Sequence, residues 1–102
     1  MRDHTRIKVK YPTIEHERAS KTITAFFSKR PYVKAVLLIG SCARRKASRD
    51  SCLDILVLVS QKVLSTERLS LERDWSDFYG NDIAFKRLLK VGAHSRVDLE
   101  FV

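Results

Sequence analysis

The sequence predicts a small α/β fold: a mixed β-sheet flanked by helices, in one domain spanning residues 1–102. Three observations carry this. Two apolar runs, Val33–Ile39 and Leu53–Val59, have strand length and sit next to glycine or polar residues. The stretch Val97-Asp98-Leu99-Glu100-Phe101-Val102 alternates apolar and acidic residues, which is strand periodicity. The segments before, between and after the two apolar runs place apolar residues at helical spacing.

Residues 1–12 are polar and basic and end at Tyr11-Pro12, as expected of a loose arm or short edge strand. Thr13 can cap a helix, with Glu15 and Glu17 in its first turn, where acids suit the dipole. The apolar face of that helix carries Ala19, Ile23, Phe26 and Phe27, and Pro31 stops it. Val33–Ile39 then reads as a buried strand ended by Gly40. Residues 41–51 form a basic segment, with Ala43 and Ala47 four apart: a short helix and a loop. Leu53–Val59 is a second buried strand. A crossover helix between the two strands would make them parallel, or part of a mixed sheet. Ser65 or Thr66 can cap a third helix, whose face holds Leu64, Leu71, Trp75 and Phe78, with Gly80-Asn81 breaking it. Ala84, Phe85, Leu88 and Leu89 give one more helix face, closed by Gly92.

Composition limits function. The 102 residues include 20 Lys and Arg against 12 Asp and Glu, a formal charge of +8 that suits a nucleotide, a nucleic acid or an acidic protein. No segment approaches the roughly 20 apolar residues of a membrane span, and the start Met1-Arg2-Asp3-His4 has no apolar signal region. Cys42 and Cys52 are the only cysteines; they do not form a zinc spacing and read as free thiols of a cytoplasmic protein. His4, His16 and His94 are scattered, which suits surface positions.

Gly40-Ser41 is where chemistry concentrates. Glycine at the end of a strand lets a ligand approach the backbone, a helix N-terminus favours phosphate, and the Ser41 hydroxyl adds a hydrogen bond. Residues two apart on a strand share a face, so positions 52 and 54 point together, as do 98 and 100. If the two strands are neighbours, Asp54 and Asp98 converge beside the turn. Hard oxygen ligands there suit Mg²⁺, which can clamp the oxygens of an in-line phosphoryl displacement. Arg44, Arg45, Lys46 and Arg49 form a basic run beside the turn, able to grip a triphosphate or remain solvated.

These residues resemble the minimal nucleotidyltransferases of the DNA polymerase beta superfamily. The family pattern is Gly-Ser, ten residues, Asp, one residue, Asp, with a third carboxylate on a later strand. Gly40, Ser41, Asp54 and Asp98 match it, as do Ala43, Arg44, Ala47, Asp50 and Ser51 within the gap. The resemblance covers residues 33–102 and implies the nucleotidyltransferase fold. It also implies Mg²⁺-dependent transfer of a nucleoside monophosphate from a nucleoside triphosphate, ATP first, to a hydroxyl. In these terms Asp54 and Asp98 are the catalytic and metal-binding carboxylates, and Gly40, Ser41 and Arg44 hold the nucleotide. Relatives of this size act as antitoxins on HEPN-type partner proteins, which implies a tyrosine hydroxyl as acceptor. Two positions depart from the pattern: Arg45 replaces a glycine, and Cys52 replaces the first Asp. A thiol with an ordinary pKa of about 8.5 is a poor Mg²⁺ ligand, so a weakened metal site is expected. Asp50 is a candidate substitute, and Glu100 a further candidate ligand. Three functions compete: the transferase, a degenerate transferase scaffold that binds a partner, and a basic nucleic-acid binder.

Overall fold

Thr13 takes an extended conformation and its hydroxyl accepts the His16 backbone N–H at 3.1 Å, which starts helix α1 (Ile14–Ser28). In this computed structural model, residues 11–43 and 47–102 are described; residues 1–10 of the predicted arm and the basic residues 44–46 lie outside them. Ala19, Ile23 and Phe27 form the buried face of α1, with Phe26 half-buried beside them. Tyr11 is tied to this helix by a 2.7 Å hydrogen bond between its hydroxyl and Ser20 Oγ.

The remaining elements are β1 (Val33–Ile39), α2 (Gly40–Ala43), β2 (Leu53–Val59), α3 (Gln61–Asn81), α4 (Ile83–Leu89) and β3 (Val97–Phe101). This is the α-β-α-β-α-α-β order that the periodicity predicts. The sheet has strand order β1-β2-β3. β1 and β2 pair antiparallel, not parallel, with Ile39 opposite Asp54. The described part of α2 is one turn, too short to carry the chain back along a strand, so the chain reverses direction instead. β2 and β3 pair parallel, with Asp54 opposite Asp98 and Leu56 opposite Glu100. The helical segment α3–α4 provides the crossover that a parallel pair needs.

β2 shows how the sheet is covered. Leu53, Ile55, Val57 and Val59 are buried, whereas Asp54, Leu56 and Leu58 are only partly so. One face of the sheet packs on the helices; the other carries Leu37, Ile39, Asp98 and Glu100 as exposed residues. Alternation in burial therefore holds even though the strand is apolar throughout from Ile55 to Val59.

The core between sheet and helices centres on aromatic rings. Trp75 lies 5.9 Å from Phe27, 5.3 Å from Tyr79 and 5.5 Å from Phe85 between ring centroids, and Phe26 stacks on Phe78 at 4.0 Å. Trp75, Phe78 and Tyr79 belong to this core; for Trp75 and Phe78 this is what their spacing predicts.

The ends of α3 differ from expectation. The helix begins at Gln61, right after Ser60 ends β2, and the Ser65 and Thr66 hydroxyls donate back to the Lys62 carbonyl instead of capping. It also runs through Gly80, and Asp82 is the break: its backbone N–H closes on Phe78 O, and its carboxylate accepts Ala84 N–H at 2.9 Å to cap α4. In α4 Phe85 and Leu88 are buried, but Leu89 is 51% exposed, since a seven-residue helix turns only one narrow stripe to the core.

His16 departs furthest from expectation. It is fully buried. Its Nδ1 meets Thr13 Oγ1 and its Nε2 meets the Ser51 carbonyl, both at 2.7 Å. A carbonyl can only accept, so Nε2 donates to Ser51; in the neutral ring Nδ1 then accepts from the Thr13 hydroxyl. The ring pins the start of α1 to the chain just before Cys52.

Candidate active site

Gly40 ends β1 with φ +75, a left-handed conformation that suits glycine. A Cβ built there would run into the Asp54 carboxylate, 3.0 Å from its Cγ. The turn therefore gives Asp54 its space. We expect Gly40→Ala to lose about 1–2 kcal/mol from backbone strain alone and to displace Asp54. Thermal denaturation together with a Mn²⁺ titration checks both effects. Ser41 follows on the first turn of α2 and is half-buried. One helical turn brings little aligned dipole, so close approach at Gly40 and the Ser41 hydroxyl are what the turn offers a phosphate. Arg44 lies outside the described residues.

Asp54 and Asp98 stand side by side because they are register partners on parallel strands, and both are on the open face of the sheet. Cys52, one residue before β2, points the same way, and its thiol donates to Asp54 Oδ1 at 3.4 Å. One ligand atom from each of Cys52, Asp54 and Asp98 lies within 4.8 Å of the others, the only such group among the described residues. Burial first, then the hydrogen bond to Asp54 and the charges of Asp54 and Asp98, push the Cys52 thiol up to about 11. It is therefore a neutral donor at pH 7, seated between two carboxylates. Arg96 Nε holds Asp98 Oδ1 from the solvent side at 3.3 Å. Ile39, Leu56, Leu99 and Glu100 line the open cleft beside the two carboxylates, which has a volume of about 290 Å³. Glu100 thus reaches the cleft wall but stays outside the three-residue cluster.

A second group of contacts fixes the loop that delivers Cys52. Asp50 accepts the His94 backbone N–H at 2.7 Å and meets His94 Nδ1 at 3.1 Å, and these bonds hold its carboxyl below its ordinary range. Asp50 is committed there and does not join the metal cluster. Arg49 reaches the Val91 carbonyl at 3.3–3.4 Å, and Ser95 Oγ donates to the Arg49 carbonyl. Ser48 and Ser51 close a turn on each other. At the other end, Val97 N–H donates to the Tyr79 hydroxyl at 3.1 Å, and Leu53 N–H donates to the Arg96 carbonyl at 2.7 Å. Tyr79 packs in the core, and its polar end also sets the start of β3, one residue before Asp98.

Residues 21–98 match the family described as Polymerase beta, Nucleotidyltransferase. The chain belongs to this nucleotidyltransferase family. The match covers the Gly40 turn and both carboxylates, and the three-stranded mixed sheet with four helices agrees with the family fold. No curated protein and no solved structure shows significant similarity to the chain. Among the described residues no helix is long and apolar enough to cross a membrane.

Nucleotidyltransferases use divalent metal ions, and the donor set here can be tested against that need. Two carboxylates on adjacent strands fit one divalent cation that completes its shell with water or phosphate oxygens. A pair of hard cations sharing a bridging carboxylate does not fit, because the third donor of the cluster is a neutral thiol.

Proposed function

We propose that this nucleotidyltransferase-family chain binds ATP or another nucleoside triphosphate at the Gly40 turn and transfers its nucleoside monophosphate to a hydroxyl. The observation that carries this is the pairing of Asp54 with Asp98 on the open sheet face, beside a glycine whose missing side chain clears the Asp54 carboxylate. Asp54 and Asp98 would hold a divalent cation, which when bound neutralises phosphate charge as the displacement proceeds. The chain's own groups do the positioning. The Gly40 backbone admits the phosphates and the Ser41 hydroxyl donates to a phosphate oxygen, and the family resemblance assigns Arg44 to the triphosphate charge. Asp98 takes the proton from the acceptor hydroxyl. The acceptor oxygen bonds to the α-phosphorus, the bond to pyrophosphate breaks, and pyrophosphate leaves. A tyrosine hydroxyl on a HEPN-type partner is the acceptor that the family resemblance favours, and the role would then be that of an antitoxin.

One observation favours a second reading, a scaffold whose chemistry is lost: the neutral thiol where a third carboxylate would complete the cluster. Pyrophosphate release from ATP, with a set of divalent cations and a tyrosine-bearing acceptor, separates the two. On the first reading the wild type releases pyrophosphate and Asp54→Asn reduces the rate by about 10²-fold or more. ATP binding with no release under any cation supports the scaffold. No ATP binding at all overturns the transferase reading and leaves the scaffold, whose role is then to bind a partner protein.

A further inference from the structure

We infer that the Cys52–Asp54–Asp98 cluster is a site for one thiophilic divalent cation, Zn²⁺, in preference to Mg²⁺, with the Cys52 sulfur as a direct ligand. The inference rests on the reading of this cluster as the cation site and gives that site its chemistry. Three protein donors, one sulfur and two carboxylates, come from two adjacent strands and lie within 4.8 Å of one another. That count matches a tetrahedral zinc site that keeps its fourth position open. The spacing matches as well. Zinc bonds of about 2.3 Å to sulfur and about 2.0 Å to oxygen at a tetrahedral angle require sulfur and oxygen to be about 3.5 Å apart. Cys52 Sγ and Asp54 Oδ1 are 3.4 Å apart.

The surroundings support one ion of this kind. The open cleft beside Asp54 and Asp98 leaves the fourth position to a water or a phosphate oxygen. The loop leading to Cys52 is fixed by His16 at Ser51 and by His94 at Asp50. Mg²⁺ demands oxygen ligands and gains nothing from sulfur, whereas Zn²⁺ and Co²⁺ do. On coordination the sulfur binds as thiolate and its proton leaves to solvent.

Co²⁺ titration of the full chain tests this by absorption, independently of any activity. The expected result is a sulfur-to-cobalt charge-transfer band in the wild type and in Cys42→Ala, but not in Cys52→Ser or Cys52→Ala. Circular dichroism verifies that each variant is folded. Calorimetry with Zn²⁺ alone should show affinity at least about 10²-fold above that for Mg²⁺. Cys52→Ser should lower Zn²⁺ affinity by at least about tenfold, since a direct ligand is worth no less than an outer-shell one. Cobalt binding without a sulfur band, or a band that survives in both Cys52 variants, overturns the inference. If the wild type then still binds ATP with Mg²⁺, the nucleotide reading stands while this one falls. A Cys52-dependent band in a chain that binds no ATP upholds the metal site and overturns the nucleotide reading.

Discussion

Cys52→Asp is expected to raise Mg²⁺ affinity by at least about tenfold, or ~1.4 kcal/mol. The wild-type thiol, pushed up to about 11, brings no charge to the cluster at pH 7, whereas aspartate would bring a full one. At about 4 Å and an effective dielectric constant near 20, one unit-charge pair is worth about 4 kcal/mol. Repulsion among three carboxylates offsets part of that gain, so without metal the variant should melt at a lower temperature than wild type, and Mg²⁺ should restore it. Calorimetric titration of Mg²⁺ and ATP, separately and together, is the measurement. Recovery of coupled Mg²⁺ and ATP binding in the variant would show that the fold still holds the geometry of a two-ion site and that the thiol alone withholds it. Unchanged Mg²⁺ affinity would remove Asp54 and Asp98 as a cation site. The same substitution should narrow the preference for Zn²⁺, since it exchanges a soft donor for a hard one.

Trp75→Ala should be the most damaging core substitution, costing about 3–5 kcal/mol. The indole is 9% exposed and meets the rings of Phe27, Tyr79 and Phe85, with Phe26 and Phe78 slightly further away. A domain of this size has about 5–15 kcal/mol of total stability, so the loss is a large share of it and should lower the melting temperature by more than about 10 °C. Leu69→Ala is the control: Leu69 is 78% exposed on the same helix, and its truncation should stay within about 0.5 kcal/mol. Chemical denaturation followed by circular dichroism measures both. The loss also reaches the site. Tyr79 stacks on Trp75 at 5.3 Å and accepts the Val97 N–H, so loosening the stack loosens the strand that carries Asp98. Cation affinity should fall in Trp75→Ala even at temperatures where the variant remains folded. Equal affinity would show that β3 is held without the aromatic layer.

Much of the fold was legible because periodicity is local. Thr13 as a cap, the Ala19–Ile23–Phe27 face, the three strands and the aromatic face of α3 follow from side-chain spacing along one segment. Helix ends were less legible. Ser65 and Thr66 offer hydroxyls suited to capping, but Ser60 already ends β2, and a hydroxyl inside a helix bonds back to its own turn. The position of Gly80 suggested a break, yet glycine is tolerated in a helix that packing already holds. His16 has the composition of a surface residue and is buried, because its two ring nitrogens find partners on different parts of the chain.

The site divides in the same way. The sequence by itself determined which residues could share a face: Cys52 with Asp54, and Asp98 with Glu100, through the two-residue period of a strand. It also determined that a glycine would stand at the end of β1. Only the tertiary structure decided that β1 runs antiparallel to β2, that β3 lies parallel on the other side, and that Asp54 and Asp98 are register partners. It also decided that Cys52 and Asp98 join one cluster while Asp50 turns away to His94 and Glu100 stays at the cleft wall. The reason is physical. A strand's own pattern fixes which way its side chains point. Which strand lies beside it, and in what register, depends on the short α2 link between β1 and β2 and on the α3–α4 crossover between β2 and β3, and no local spacing encodes that.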